Sequence, residues 1–553
     1  MDRRNFLKTT AFGAALAGLG ALPGCGVIKV RKHFDIIITG GDIYDGSGKP
    51  CFHGDIGIKD GVIKAIGHNL GYSADWIVNA EGLAVSPGFI DIHSHTDTNL
   101  FLAPKGESRI FQGITTEVGG NCGDAPFVFS DTAWEKRSKG TVLGHKAWRD
   151  VDGFFSELRT QQIGINYTSL VGHGDLRRAV VGPYNVKATD EQVARMCDIL
   201  DYELGLGAAG LSFGLEYAPG CYCDTREMVE LCKVVARHDK LYSIHMRNED
   251  AFVLEAIEEA VEAARQSGAR LEISHLKAQN PANFDKLPAM LAKIDAAHAE
   301  GIDIAFDRYP YTAFSTSLKT MVPSELRDGT NEDIMKRLKD PGTASQIARH
   351  IRSRLAAYGG ADKVVIAECR NADNKAFSGK SIAECCRISG MEEGEMVVHL
   401  LISENLSVNQ ATFAMDEGNL KTLYSHPLSM PGSDGAVYSP EGPLSESLPH
   451  PRAYGTFPRF LGKYCREEKA VDLPEAVRKC TGLPASRLKL KDRGLLMPGY
   501  AADITVFNPQ TIIDKATFAD PHVFAEGITH VIVNGVPAIR HGEHTGKLAG
   551  TTL

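Results

Sequence analysis

Phe89-Ile-Asp-Ile-His93-Ser-His95 decides the reading of this chain. An apolar run leads into two histidines separated by one residue. Side chains alternate sides along a strand, so His93 and His95 project the same way. An isolated His-x-His is a modest signal. At the end of a buried apolar strand, however, two uncommitted imidazoles would be costly to desolvate, whereas two imidazoles sharing a metal ion have a partner.

Working outward, further short apolar runs occupy residues 84–92, 113–118, 166–171, 209–213, 241–244, 269–274, 301–306 and 423–429. Helical patterns separate several of them. In 252–265, Val253, Ile257, Val261 and Ala264 recur on one face, opposite acidic residues that include Glu255, Glu258 and Glu259. A second helix is read over 284–299. Eight strands mostly followed by helices imply an α/β fold, a (β/α)8 barrel over 87–486. Residues from about 320 to 422 exceed one connection and are assigned the seventh helix plus an insertion near the barrel mouth. Short strands with Gly-Gly and Asp-Gly turns fill the region after His33, and 502–507 and 531–535 repeat the style. The two ends, 33–86 and 487–553, are therefore expected to form one small β-sandwich, its N-terminal part an antiparallel meander.

The 553 residues are 43% hydrophobic and 23% charged, with a net charge of -9 and 12 Cys. That composition excludes a disordered or polytopic membrane chain. It offers no basic field for nucleic acid, and too few cysteines for a disulfide scaffold. Residues 1–32 read as an address. Arg3-Arg4 precede a short Gly/Ala-rich apolar stretch at 11–22, in the manner of a twin-arginine signal. Leu22-Pro23-Gly24-Cys25 has the form of a lipobox, with Cys25 as a lipid anchor; ordinary cleavage or a retained anchor is the alternative. The expected location is the periplasm or the outer face of a bacterial membrane, with no other membrane contact.

The remaining chemistry also falls at strand ends. Cys122 follows the second strand between glycines, as either a plain buried thiol or a thiolate bridging two divalent ions. His245 and His275 end the fifth and sixth strands. Four histidines and a cysteine at matching ends suit zinc. Asp434, in Pro431-Gly-Ser-Asp-Gly435, is either a turn residue or a weak ligand able to take a proton from activated water. Cys221 and Cys223 are read as a loop that lines the pocket or forms a disulfide, and Cys385 and Cys386 as buried thiols.

These motifs resemble the metal-dependent amidohydrolase superfamily, and within it the N-acyl-D-amino-acid deacylase (D-aminoacylase) family. The resemblance rests on Gly113-Ile-Thr-Thr-Glu-Val-Gly-Gly-Asn-Cys122-Gly, Gly172-His-Gly-Asp-Leu-Arg177, Gly210-Leu-Ser-Phe-Gly-Leu-Glu-Tyr217, His245-Met-Arg-Asn-Glu249, Ser274-His-Leu-Lys277, Tyr309-Pro-Tyr-Thr312 and His450-Pro-Arg-Ala-Tyr-Gly-Thr-Phe-Pro458. Dihydroorotases and hydantoinases typically bridge their metals with a carboxylated lysine on strand four; this chain has Ser212 there. The resemblance implies zinc-dependent hydrolysis of the amide of a small N-acyl-D-amino acid, with Asp434 as the catalytic proton carrier. Cys122, His245 and His275 would hold a tight zinc. His93, His95, Cys122 and Asp434 would form a second, weaker site. Lys277, Tyr309, Ser315 and Arg452 match positions that grip the substrate carboxylate, and Tyr309 or His173 would aid the oxyanion. Glu117 and Phe314 depart from the family pattern, and 320–422 matches it least. The alternatives are a cyclic-amide hydrolase, a D-amino-acid dipeptidase, or a lipid-anchored binding protein without turnover.

Overall fold

The computed structural model describes residues 33–70, 73–129, 134, 143 and 148–553. The signal-like segment and Cys25 lie outside the described residues.

Eight parallel strands form the barrel: Phe89–Asp91, Ile114–Gly119, Asn166–Ser169 continued as Val171–Gly172, Gly210–Gly214, Leu241–His245, Arg270–Ile273, Ile304–Arg308 and Ser429–Pro431. A parallel bridge between Ser94 and Gly435 joins the ends of the first and eighth strands. Every residue of these strands is buried, which is why they read as near-continuous apolar runs rather than alternating ones. Ile92, Val118, Leu170, Leu241, Ala305 and Met430 fill the interior.

Helices cover the outside. Val253–Ser267 turns Val253, Ile257, Val261 and Ala264 inward and ends at Gly268, whose φ of 76° closes the last turn without a Cβ penalty. Glu259, among the acidic residues of this helix, pairs with Arg247 at 2.9 Å.

Two strand assignments need correction. The run at 84–92 is two strands. Ala84–Pro87 belongs to the terminal sheet, pairing with Ile504–Phe507 and His33–Ile43, and Gly88 separates it from barrel strand Phe89–Asp91. Leu423 lies in the helix Glu417–Ser425, and the eighth strand is only Ser429–Pro431.

The two chain ends form one nine-stranded sheet around a shared core that includes Ile36, Ile56, Val85, Ile504 and Ile532. It is not a simple antiparallel meander, since Ser73–Asn79 and Ala84–Pro87 both run parallel to His33–Ile43. The insertion begins at Ala313, earlier than expected. Ala313–Ser317, Asn409–Phe413 and Val364–Ile366 form a three-stranded sheet. Its own core includes Ile347, Leu355, Val364 and Leu400. Glu417–Ser425 then returns to the barrel. Among the described residues no helix is long and apolar enough to cross a membrane.

Candidate metal centre

The six residues His93, His95, Cys122, His245, His275 and Asp434 meet at the C-terminal end of the barrel. Cys122 Sγ lies 3.4 Å from His93 Nε2, 3.5 Å from His275 Nε2 and 3.8 Å from His245 Nδ1. Two ligands of one tetrahedral zinc, bound at ordinary lengths, stand about 3.3–3.6 Å apart. His245 Nδ1 and His275 Nε2 are closer, at 2.9 Å. Asp434 Oδ1 is 3.0 Å from His95 Nε2 and 3.5 Å from His93 Nε2. Cys122 is thus in reach of donors from several strands, and atoms of His93, Cys122, His275 and Asp434 all lie within 4.8 Å of one another; sulfur and imidazole suit zinc.

The local backbone is shaped for this convergence. Cys122, His275 and Asp434 have φ of 54°, 35° and 49°. Left-handed backbone at non-glycine residues costs on the order of 1–3 kcal/mol each and persists where surrounding structure over-determines it. Around Cys122 the cause is visible. Gly120 and Gly123 also have positive φ, and a Cβ would meet Leu170 O at 2.1 Å and Gly214 N at 2.7 Å. Ser212 on strand four donates to Gly120 O at 2.5 Å and accepts from Gly123 N at 3.0 Å, bracing the loop from both sides of the sulfur.

Three imidazoles have a carboxylate behind them. Asp307 lies 3.1 Å from His93 Nδ1, Glu216 3.1 Å from His245 Nε2 and Glu249 3.1 Å from His275 Nδ1. Such partners orient the ring and raise its basicity as a ligand. The sequence reading missed all three. Asp307 is the last but one residue of the seventh strand and Glu249 lies four residues after His245, so position at a strand mouth was the available signal. Replacing Asp307 by Asn or Glu216 by Gln is expected to weaken metal affinity by about 10- to 100-fold with the fold intact; metal titration alongside circular dichroism checks this.

The electrostatics favour a cation. Burial opposes ionisation of Cys122, yet His93 and His275, with hydrogen bonds from His245 and His275, pull its thiol well below the ordinary value. Burial likewise opposes charge on Asp434, but Arg452, His275 and His95 hold its carboxyl well below the usual range. With no cation bound, burial pushes His95 and His245 toward neutrality, and the anions around them override it. Asp434 and Cys122 raise His95 to about 10, and Glu249, Cys122 and Glu216 raise His245 to about 10. A metal must displace those protons. Its apparent affinity should therefore fall as pH is lowered, by about tenfold per pH unit for each proton released. Competition with a chelating indicator across neutral pH measures that slope.

The centre opens into a cavity of about 960 Å³ lined also by Lys277, Tyr309, Phe314, Ser315 and Arg452. Arg452 Nη1 donates to Asp434 Oδ2 at 2.6 Å and its Nη2 to Ser315 O at 3.3 Å, while its guanidinium lies over the Tyr309 ring at 4.8 Å. Lys277 is already tied to Glu249 at 2.5 Å and His275 Nδ1 at 2.8 Å, so it also braces the ligands.

Other expected participants lie elsewhere. His173 does not line the cavity. It is fully buried against Glu227 at 2.7 Å, beside Arg177, which removes it as an oxyanion donor. Glu117 lies beneath the site, paired with fully buried Arg109 at 2.6 Å and pushed up to about 7, by burial above all. Asp91, near that pair, accepts from the backbone N–H of His93 and Ser433. Cys221 and Cys223 are free thiols. Cys385 is buried and Cys386 half-buried.

Comparison with known proteins follows the same lines. A model described as the amidohydrolase family matches residues 77–539. A D-aminoacylase from Alcaligenes xylosoxydans xylosoxydans is 33% identical over 524 residues, covering 94% of this chain and 97% of its own. The crystal structure of N-acyl-D-glutamate deacylase from Bordetella bronchiseptica, complexed with zinc and a phosphonate mimic of the tetrahedral intermediate, matches with a TM-score of 0.79. Its identity is 32%, and it covers 94% of this chain and 100% of that one. A D-aminoacylase structure concerned with a binuclear metal centre matches with a TM-score of 0.78 and 31% identity, over 94% of this chain and 99% of that one. These matches run through the terminal sheet, the barrel and the insertion alike, and the chain belongs to the amidohydrolase family, among its metal-dependent D-aminoacylase members.

Proposed function

We propose that this enzyme hydrolyses the amide bond of N-acyl-D-amino acids with zinc as its metal, releasing a carboxylate and a D-amino acid. The observation that carries the reading is Cys122 Sγ set among His93, His245 and His275, with the Asp434 carboxylate at the edge of the same cavity. The donors fit zinc: Cys122, His245 and His275 would hold one ion, and His93, His95, Cys122 and Asp434 a second, weaker one. When bound, the metal supplies Lewis acidity toward the amide carbonyl and toward water.

The chain's own residues do the rest. Asp434, kept ionised by Arg452, takes the proton from the attacking water and returns it to the leaving nitrogen. Arg452 offers a planar fork to the substrate α-carboxylate, with Ser315, Tyr309 and Lys277 beside it in the cavity wall. As that carboxylate draws on the guanidinium, its hold on Asp434 weakens and the base becomes stronger when a proton must be taken. Fixing the carboxylate and the amide at two points sends D and L side chains in two different directions, so the hand is set by which of those directions the cavity wall leaves open.

The test is release of free amino acid from matched N-acyl-D- and N-acyl-L-amino acids by the zinc-loaded protein. Turnover confined to the D series is expected. Equal use of both hands, or hydrolysis of hydantoins in preference to linear amides, would defeat the reading. We also propose export by the twin-arginine route with a lipid on Cys25. The motifs at Arg3-Arg4 and Leu22–Cys25 support it, and fatty-acid labelling that persists in Cys25→Ala would refute the anchor.

A further inference from the structure

Asp91, Arg109 and Glu117 form a charged cluster that the chemistry described above does not use. All three are fully buried, and none lines the cavity. Arg109 Nε lies 2.6 Å from Glu117 Oε1, and the same guanidinium draws on the Asp91 carboxylate. Two carboxylates and one cation withdrawn from water are costly, and apolar side chains of similar volume usually cost less. Arg109 Nη2 is buried without a hydrogen-bond partner, so the cluster does not persist for the satisfaction of its polar groups. What a guanidinium offers, and a methyl group does not, is a directed hold on a carbonyl oxygen.

Arg109 spends that hold on two functional residues at once. Its Nη1 donates to Ala453 O at 3.1 Å, where Gln112 Nε2 also donates at 2.9 Å. Ala453 follows Arg452 in the helix Arg452–Arg459. Its Nη2 packs beneath Gly435, the residue after Asp434. A Cβ at Gly435 would stand 3.2 Å from that nitrogen and 3.3 Å from Ala453 Cα. Asp91 supports the other side of the same loop, since its Oδ1 accepts from the backbone N–H of Ser433, the residue before Asp434, at 2.9 Å.

Asp434 lies in the loop after the eighth strand, whereas Arg452 opens a helix. Their side chains meet at 2.6 Å. Beneath that contact, one buried guanidinium touches the residue after each of them.

We propose that Arg109, with Glu117 as its counter-ion, is a positioning residue for the reaction, setting the distance and angle at which Arg452 meets Asp434. The proposal rests on the deacylase reading, in which that contact keeps the base ionised and yields when the substrate carboxylate arrives. A displacement of about 1 Å in a reacting group can cost about 100-fold in rate, so a support one residue away from each partner acts on the rate without touching substrate.

The experiment removes the pair as a unit, Arg109→Met together with Glu117→Leu, in the zinc-loaded full chain. It measures kcat and KM with N-acetyl-D-leucine and N-acetyl-D-glutamate, zinc content, and folding by circular dichroism. Zinc content should stay close to wild type, because no donor is replaced, and kcat should fall by about 10- to 100-fold. In an Arg452→Met background, where the contact is already lost, the same two replacements should change kcat/KM little, because residues that act through one contact are not additive. A merely structural role predicts the same fold-loss in both backgrounds. If the double variant does not fold, Arg109→Lys carries the test. Lysine keeps the charge beside Glu117, but its single nitrogen cannot also hold Ala453 O and underlie Gly435. The loss of kcat should then appear in Arg109→Lys and vanish in the Arg452→Met background. An unchanged kcat, or an equal loss in both backgrounds, overturns the positioning role and leaves the deacylase reading standing. No turnover by the wild type on any N-acyl-D-amino acid overturns both.

Discussion

Asp434→Asn should lower kcat by about 10²- to 10⁴-fold, the range lost with a general acid–base group. Asn is the informative replacement. It tolerates the left-handed backbone at this position, φ 49°, better than most residues. It also keeps one acceptor, which can face Arg452, 2.6 Å from the native carboxylate, while its amide N–H2 turns toward His95, 3.0 Å from the other native oxygen. It cannot carry the proton. Metal content should remain close to wild type, because Cys122, His245 and His275 are untouched. The acid limb of the kcat/KM profile, which reports the free enzyme, should disappear with the carboxylate. In the wild type that limb lies below the usual carboxylate range, since Asp434 stays ionised until the pH falls through its depressed pKa. Near-normal kcat in the variant would remove Asp434 from the chemistry.

The second large effect is expected at Cys122. Both proposed metal sites share its sulfur, so Cys122→Ser disturbs both, whereas His95→Ala disturbs only the one that includes Asp434. Serine supplies no thiolate at neutral pH. The histidines gathered around this position then lose the anion that His93 and His275 face. Metal affinity should drop by more than the roughly 10- to 100-fold typical of losing an outer partner. Hydrolysis should fall with it and recover partly at high metal concentration. Elemental analysis after dialysis, together with activity against added zinc, measures both. Full metal retention in Cys122→Ser would mean that the sulfur is not a ligand.

The barrel and its centre were largely legible because the same physics writes both. A strand buried on both faces must be apolar, so any histidine or cysteine at its end stands out, as His93, Cys122, His245 and His275 do. What escaped had weaker signatures. Ser429–Pro431 is three residues long and follows a helix that also contains Leu423 and Tyr424, so its apolar run could not be divided by pattern. Asp307, Glu216 and Glu249 are ordinary acids in sequence, and only the distance to an imidazole gives them a role. His173 showed the reverse error. A histidine after a barrel strand looked functional, but its Nε2 is taken up by Glu227, which also pairs with Arg177, and the ring is buried away from the cavity.

The terminal sheet has a consequence for biosynthesis. Ser86 and Thr505, bonded through a side chain in adjacent strands, are 419 residues apart in sequence. A chain emerging from the ribosome therefore carries Ala84–Pro87 with an open, apolar edge until nearly all of it has been made. Such distant pairing slows folding and leaves time for wrong edge-to-edge association. Truncation before Ile504 should produce aggregates rather than a smaller soluble enzyme. A cell would do well to finish the whole molecule before moving it.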